Sequence, residues 1–171
     1  MKKKQILLLL FTIIIIAFCI FRKQISYEVS KKINIISAGS YPYAETYNLN
    51  YSENEVKQAL RKFKMQYPDY NVPGLEDHQT ENPAFWYITY FHLQNENEVW
   101  CTFTRKNGKN ESTFAFVQVK RIGENSWKSI NQDFGYKENK MKIEKFEKRI
   151  LNGLIGILKK EKAAGNSGLK Q

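Results

Sequence analysis

The stretch Phe85–Leu93, FWYITYFHL, with Glu98–Arg105, EVWCTFTR, and Ser112–Ile122, STFAFVQVKRI, decides the fold. These runs are rich in aromatic and β-branched residues, and polar turn clusters separate them, which is the signature of consecutive strands. Gln94-Asn95-Glu96-Asn97 joins the first pair, and Lys106-Asn107-Gly108-Lys109 forms a hairpin tip between the second and third. A fourth short strand, SWKSI, follows the turn at Gly123-Glu124-Asn125. The first strand is aromatic on both faces, with Phe85, Tyr87 and Phe91 on one and Trp86, Ile88 and Tyr90 on the other. One face must meet a helix, and the other must meet something besides bulk water.

Working outward, YAETYNLNY alternates with Tyr43, Tyr47, Leu49 and Tyr51 on one face, which predicts one earlier strand; Glu45 on that apolar face weakens the pattern. Ser52-Glu53-Asn54-Glu55 then fits a capping box, the serine hydroxyl accepting from the backbone at Glu55 and the carboxylate reaching back. Val56, Ala59, Leu60, Phe63 and Tyr67 recur at helical spacing until Pro68 stops the run. DYNVPGLEDHQTENP reads as a long surface loop, and such loops often carry function.

From about Asn139 to Lys160 a second helix is predicted, with Ile143, Phe146, Ile150, Leu154, Ile157 and Leu158 apolar and Lys140, Lys142, Lys145, Lys148 and Arg149 on the polar side. Gly153 and Gly156 within it point to close packing or early fraying. The fold class is therefore α+β: a mainly antiparallel sheet, made of a meander of three to four strands plus one earlier strand, packed by two helices. A helix on a curved antiparallel sheet resembles the cystatin-like and NTF2-like class in architecture; no motif carries the resemblance and no residue role is transferred from it.

The N-terminus, MKKKQILLLLFTIIIIAFCIFRKQ, sets the compartment. Ile6 to Phe21 is sixteen residues long, spanning about 24 Å as a helix against a hydrocarbon core of about 30 Å. Lys4 and Arg22 at its ends can snorkel, so a short transmembrane helix is viable. A cleaved signal needs small residues at its end, and here Phe18, Ile20 and Phe21 surround Cys19. The lipoprotein pattern Leu-(Ala/Ser)-(Gly/Ala)-Cys is matched by Ile16-Ala17-Phe18-Cys19 except at bulky Phe18. The run reads as an uncleaved signal anchor over 1–24, followed by a juxtamembrane stalk over 25–42, a domain over 43–160 and a disordered tail over 161–171. Lys2, Lys3, Lys4 and the free amine against Arg22, Lys23, Lys31 and Lys32 favour an N-inside, single-pass orientation with the domain outside the cytoplasm. The abundance of Ile, Lys and Asn fits a low-GC, bacterial coding sequence.

Location of charge bears on partners. Of the net +10, six units come from residues 1–32, where seven basic side chains face only Glu28, and the rest of the 171 residues carries +4. Residues 33–98 hold four basic and nine acidic side chains and residues 137–162 nine and four, so the excess is membrane flank plus one basic helix rather than a nucleic-acid footprint. Only Cys101 lies in the domain, which excludes an internal disulfide, and no Cys/His set for a metal appears.

No cofactor motif, catalytic elbow or phosphate loop is present. His78, in Glu76-Asp77-His78, reads first as a solvated loop residue, His92 as a structural histidine, Cys101 as a buried thiol, and Glu96 and Glu98 as a hairpin feature. What remains is a binding reading. Trp86, Tyr90 and Trp100, with Phe114, Phe116 and Trp127, supply the core and leave an aromatic face for a partner, with His78 and His92 as polar additions. The expected function is a membrane-anchored interaction module with a lipid bilayer and a protein as partners, of which bacterial immunity proteins, binding a toxin near the membrane, are one concrete version. The competing class is a small-ligand or enzymatic domain in which the loop of residues 69–83 folds over a pocket lined by Tyr87 and His92.

Overall fold

A computed structural model describes residues 4–5, 11–16, 21–22, 26, 43–81 and 85–168, with side chains through 164. Residues 1–42 and 43–171 form two separate compact units. In the first, residues 4–5, 11–16, 21–22 and 26 are helical. Among the described residues no helix is long and apolar enough to cross a membrane. Much of the Ile6–Phe21 run and nearly all of the 25–42 stalk lie outside the described residues.

The second unit is α+β. Its strands are β1 (Glu45–Leu49), β2 (His78–Gln79), β3 (Tyr87–Leu93), β4 (Glu98–Lys106), β5 (Ser112–Arg121) and β6 (Lys128–Ser129). They form one antiparallel sheet in the order β1-β5-β4-β3-β2, with β6 also on β5. The meander is thus β3-β4-β5, and the earlier strand returns to its β5 edge. The helices are α1 (Glu53–Gln66), α2 (Tyr136–Phe146) and α3 (Asn152–Gly168), the last two joined through a π-helical segment, Glu147–Leu151. The helix continues to Gly168, past the point where the sequence predicts a tail.

Local chemistry sets the element ends. Ser52 caps α1 with the full box: its Oγ accepts from the Glu55 N–H at 3.3 Å, and its own N–H donates to Glu55 Oε2 at 2.6 Å. Those hydrogen bonds to Ser52 hold the Glu55 carboxyl below the usual carboxylate range. Between β3 and β4 a single 3₁₀ turn, Gln94–Glu96, closes with Asn97 in the left-handed region at φ 54°, a conformation asparagine tolerates better than other side chains.

Both helical layers cover one face of the sheet. Tyr47 and Leu49 of β1, Phe114, Phe116 and Val119 of β5, Trp100 of β4 and Tyr87, Phe91 and Leu93 of β3 meet Val56, Ala59, Leu60 and Phe63 of α1 and Phe146, Ile150, Leu154 and Leu158 of the C-terminal helices. Phe146 is the centre of this layer, its ring stacked 4.6 Å from that of Phe116 at an interplanar angle of 7°. Glu45, the residue that weakened the strand pattern, is accommodated because Asn131 Nδ2 donates to its Oε2 at 2.9 Å.

The π segment has a geometric reason. Phe146, Ile150, Leu154 and Leu158 recur every fourth residue, and in an α-helix each such step drifts about 40° off one line. A wider π turn takes up part of that drift and keeps the stripe on the sheet. Close approach does the rest: a Cβ on Gly153 would fall 2.6 Å from Phe63 Cε2, so α1 and α3 pack together only because position 153 has no side chain, whereas Gly156 has open space. The Gly153 expectation of close packing holds, and Gly156 serves no such purpose.

The loop after α1 is more ordered than its composition predicts. Pro68–Tyr70 forms a 3₁₀ turn against β3, and His78–Gln79 adds a two-residue strand beside Tyr87 and Ile88. Asp77 holds the sheet edge there, its Oδ1 accepting from the Tyr90 backbone N–H at 3.1 Å and from Lys64 Nζ at 2.7 Å. The stretch 82–84 lies outside the described residues.

Candidate functional site

Register assigns each candidate side chain to a face. On the face away from the helices, His78 pairs with Ile88 and then Phe103, Tyr90 with Cys101 and Gln118, and His92 with Val99 and Lys120. Trp127 reaches from the segment before β6 across this face: its ring lies 6.0 Å from Tyr90 on β3, and Lys120 Nζ on β5 lies 5.9 Å from its centroid. On the other side of Tyr90, the His78 ring is 6.1 Å away. His78, Tyr90, Trp127 and Lys120 therefore form one aromatic and basic strip that crosses the sheet from β2 to β5. His78 is exposed and Tyr90, Trp127 and Lys120 are half-buried, while Ile88, Val99, Cys101, Phe103 and Ala115 on the same face are buried.

Two of the sequence-derived binding residues belong elsewhere. Trp100 is fully buried among Phe116 and Phe146, and its indole Nε1 donates to Glu98 Oε2 at 2.8 Å; it is a core residue with no face for a partner. Trp86 is buried just before β3, edge-on to Phe103 at 4.1 Å with the Arg105 guanidinium 5.0 Å over its ring. Tyr90 and His78 meet in the strip. His92 shares their face but lines a different cavity. Cys101 is buried, and its thiol is pushed up to about 12, first by burial and then by the Asp77 charge, which leaves it almost wholly protonated and unreactive near neutrality.

The pocket that the loop was expected to form from Tyr87 and His92 is not assembled, because the two lie five residues apart on one strand and point to opposite faces. Tyr87 faces the helices with Lys57 Nζ 5.1 Å over its ring. Instead His92 lines a polar cleft of about 230 Å³ with Asp69, Tyr70, Leu93, Gln94, Asn95 and Arg149. A second, wider opening of about 540 Å³ lies beside the hairpin tip, between Phe85, Glu53 and Arg105–Gly108. Among the described residues no group of three or more His, Cys, Asp or Glu side chains could hold a metal ion.

Sequence reasoning missed the role of the hairpin carboxylates. Glu96 accepts from both Lys145 Nζ and Arg149 Nη1 at 3.0 Å. Burial alone would raise its carboxyl, but the Lys145 hydrogen bond and the two cationic charges outweigh it and hold it below the usual range. Glu98 is buried, with Lys142 Nζ at 2.7 Å, and that ammonium also sits 4.9 Å over the Phe134 ring. Three cations of the helix's supposedly solvated face thus dock onto the β3–β4 turn. Their spacing, 142, 145 and 149, is one helical face, and the two carboxylates at the β3–β4 turn, Glu96 and Glu98, were the signal that could have revealed it. With the geometry in view, comparison with protein-family models, curated proteins and solved structures finds no match to this chain.

Proposed function

We propose that the chain is a single-pass, membrane-anchored interaction module whose α+β domain stands outside the cytoplasm and binds a protein partner through the strip at Tyr90 and Trp127. The observation that carries the anchor is the state of the N-terminal helical residues: Phe11, Ile13, Ile14, Ile15, Ile16 and Phe21 are 47–64% exposed. A helix that is apolar all round and leaves those side chains uncovered is stable in lipid rather than in water. Lys4 and Arg22 supply charged ends for the headgroup regions.

For the domain, half-buried aromatic rings beside a lysine have the amphipathic character that protein interfaces favour, and rings already in mutual contact lose little side-chain entropy on binding. An immunity protein that intercepts a toxin at the membrane is one concrete form of such a module. Recovery of the tagged full-length chain from detergent-solubilised membranes tests the reading. A stoichiometric partner should co-purify with the wild type and be lost with Trp127→Ala; absence of any partner, or capture indifferent to that substitution, counts against it. Orientation is read by reporters fused after Gln171: alkaline phosphatase activity is expected, and a fluorescent cytoplasm-only reporter with no phosphatase activity would reverse the topology.

A further inference from the structure

The cleft beside Arg149 carries a charge arrangement that selects a class of solute. Arg149 and Lys145 share the one carboxylate of Glu96 at 3.0 Å each, so this cluster retains one unit of excess positive charge at the wall that Arg149 forms. Asp69, supplied by the 3₁₀ turn after α1, lines the same cleft. It is exposed and makes no ion pair with any described residue. One cavity therefore presents an incompletely neutralised guanidinium and an unneutralised carboxylate on two different elements.

Apart from the apolar Leu93, the remaining lining, His92 included, carries hydrogen-bonding side chains. Tyr70 makes ring contacts with Phe63 and Phe91 on its apolar side, and burial keeps its phenol protonated, so its hydroxyl is available to donate. Gln94 and Asn95 add amide donors and acceptors. A volume of about 230 Å³ is that of roughly eight waters at about 30 Å³ each, enough for a small solute and too little for a folded chain. Arg149 also sits in the π segment, and single π turns are frequent at functional sites.

We propose that this cleft binds a small zwitterion of the α-amino-acid class, with its carboxylate taken by Arg149 and its ammonium by Asp69. A simple anion would satisfy Arg149 while adding repulsion from Asp69, a simple amine would meet the reverse, and a neutral solute would leave Asp69 without a counter-charge and Arg149 still sharing Glu96 with Lys145. A guanidinium is the side chain best shaped for a carboxylate, since it offers parallel N–H donors. The site depends on the cleft alone and stands apart from whatever binds the aromatic strip.

The test is titration of the full-length chain in detergent micelles with L-serine, L-alanine and L-glutamine, and with acetate and ethylamine as half-ligands, followed calorimetrically. Saturable binding of at least one amino acid is expected, with acetate and ethylamine each about tenfold or more weaker. Arg149→Gln should weaken amino-acid binding about tenfold or more. Because that change also removes a cation from Glu96, Asp69→Asn at its exposed position is the second variant; it should weaken the amino acid to a similar degree and leave acetate binding unchanged or tighter, with the thermal melt unaltered. No saturable binding of any of the three amino acids overturns the proposal. So does acetate binding as tightly as the amino acid, or amino-acid binding indifferent to Asp69→Asn.

Discussion

The two faces of the one sheet are built from the same kinds of residue and end in different states. Toward the helices, Trp100, Phe91, Phe114 and Phe116 are completely buried, and even the charges there, Glu98 and Lys142, are enclosed and paired. Away from the helices the centre is buried at Ile88, Phe103 and Ala115, but the row of His78, Tyr90, Trp127 and Lys120 keeps partial access to solvent. Tryptophan occurs on both sides, so residue type does not separate a core position from a binding position. Trp100 is sealed because Phe146 of α2 lies over it, whereas Trp127 lies on the face that no described helix covers.

The largest expected effect breaks the helix-covered face. Trp100→Ala should lower unfolding free energy by about 3–5 kcal/mol through the cavity it leaves, and Glu98→Ala by a similar amount, because buried Lys142 would keep only the exposed Glu138 carboxylate at 3.8 Å. Urea denaturation of the domain checks both. By contrast Trp127→Ala should cost no more than about 1 kcal/mol while abolishing partner capture; an equal loss of stability at 100 and 127 would erase the distinction between the faces.

Next in size is Gly153→Ala, where the new methyl meets the buried Phe63 ring. Overpacking of this kind costs about 1–3 kcal/mol, partly offset by the better helix propensity of alanine. Acid should act on the Glu96 cluster. Its carboxyl is lowered in the folded state, so the stability it contributes is present above the unfolded carboxylate value of about 4.3 and is lost as pH falls through the lower folded value. Glu96→Gln should flatten the pH dependence of the thermal midpoint in that acidic window and leave it unchanged in slope above about pH 5. The smallest effect is Gly156→Ala, which has open space in the same helix and should stabilise by up to about 1 kcal/mol. Opposite signs at two glycines three residues apart would locate the α1–α3 contact by thermal melts alone.

Much of this was legible because it is local. Alternation sufficed for the β3-β4-β5 meander, and the Ser52–Glu55 box sufficed for the start of α1, since each rests on residues within a few positions of one another. The two-residue strand His78–Gln79 was not legible, because its only reason to be extended is its pairing with Tyr87–Ile88 across a polar loop. The π turn was equally hidden: a four-residue apolar repeat reads as an ordinary amphipathic helix until its stripe must stay on the sheet. Of the site residues, Tyr90 and His78 could be selected from the strand pattern and the loop motif. Their meeting with Trp127 could not, since it depends on the path of the segment before β6.

By itself the sequence determined the α+β class, the capped helix, the order of the meander and an apolar N-terminal run with charged ends, because periodicity and capping are short-range properties of the chain. Only the tertiary structure decided which tryptophan is core and which is accessible, that Lys142 is enclosed while Lys148 stays exposed, and that Asp69, Tyr70, His92 and Arg149 line one cleft. These are matters of which elements come together over distances of tens of residues. Helical and strand periods give the direction of each side chain relative to its own element, and only packing fixes what stands in front of it.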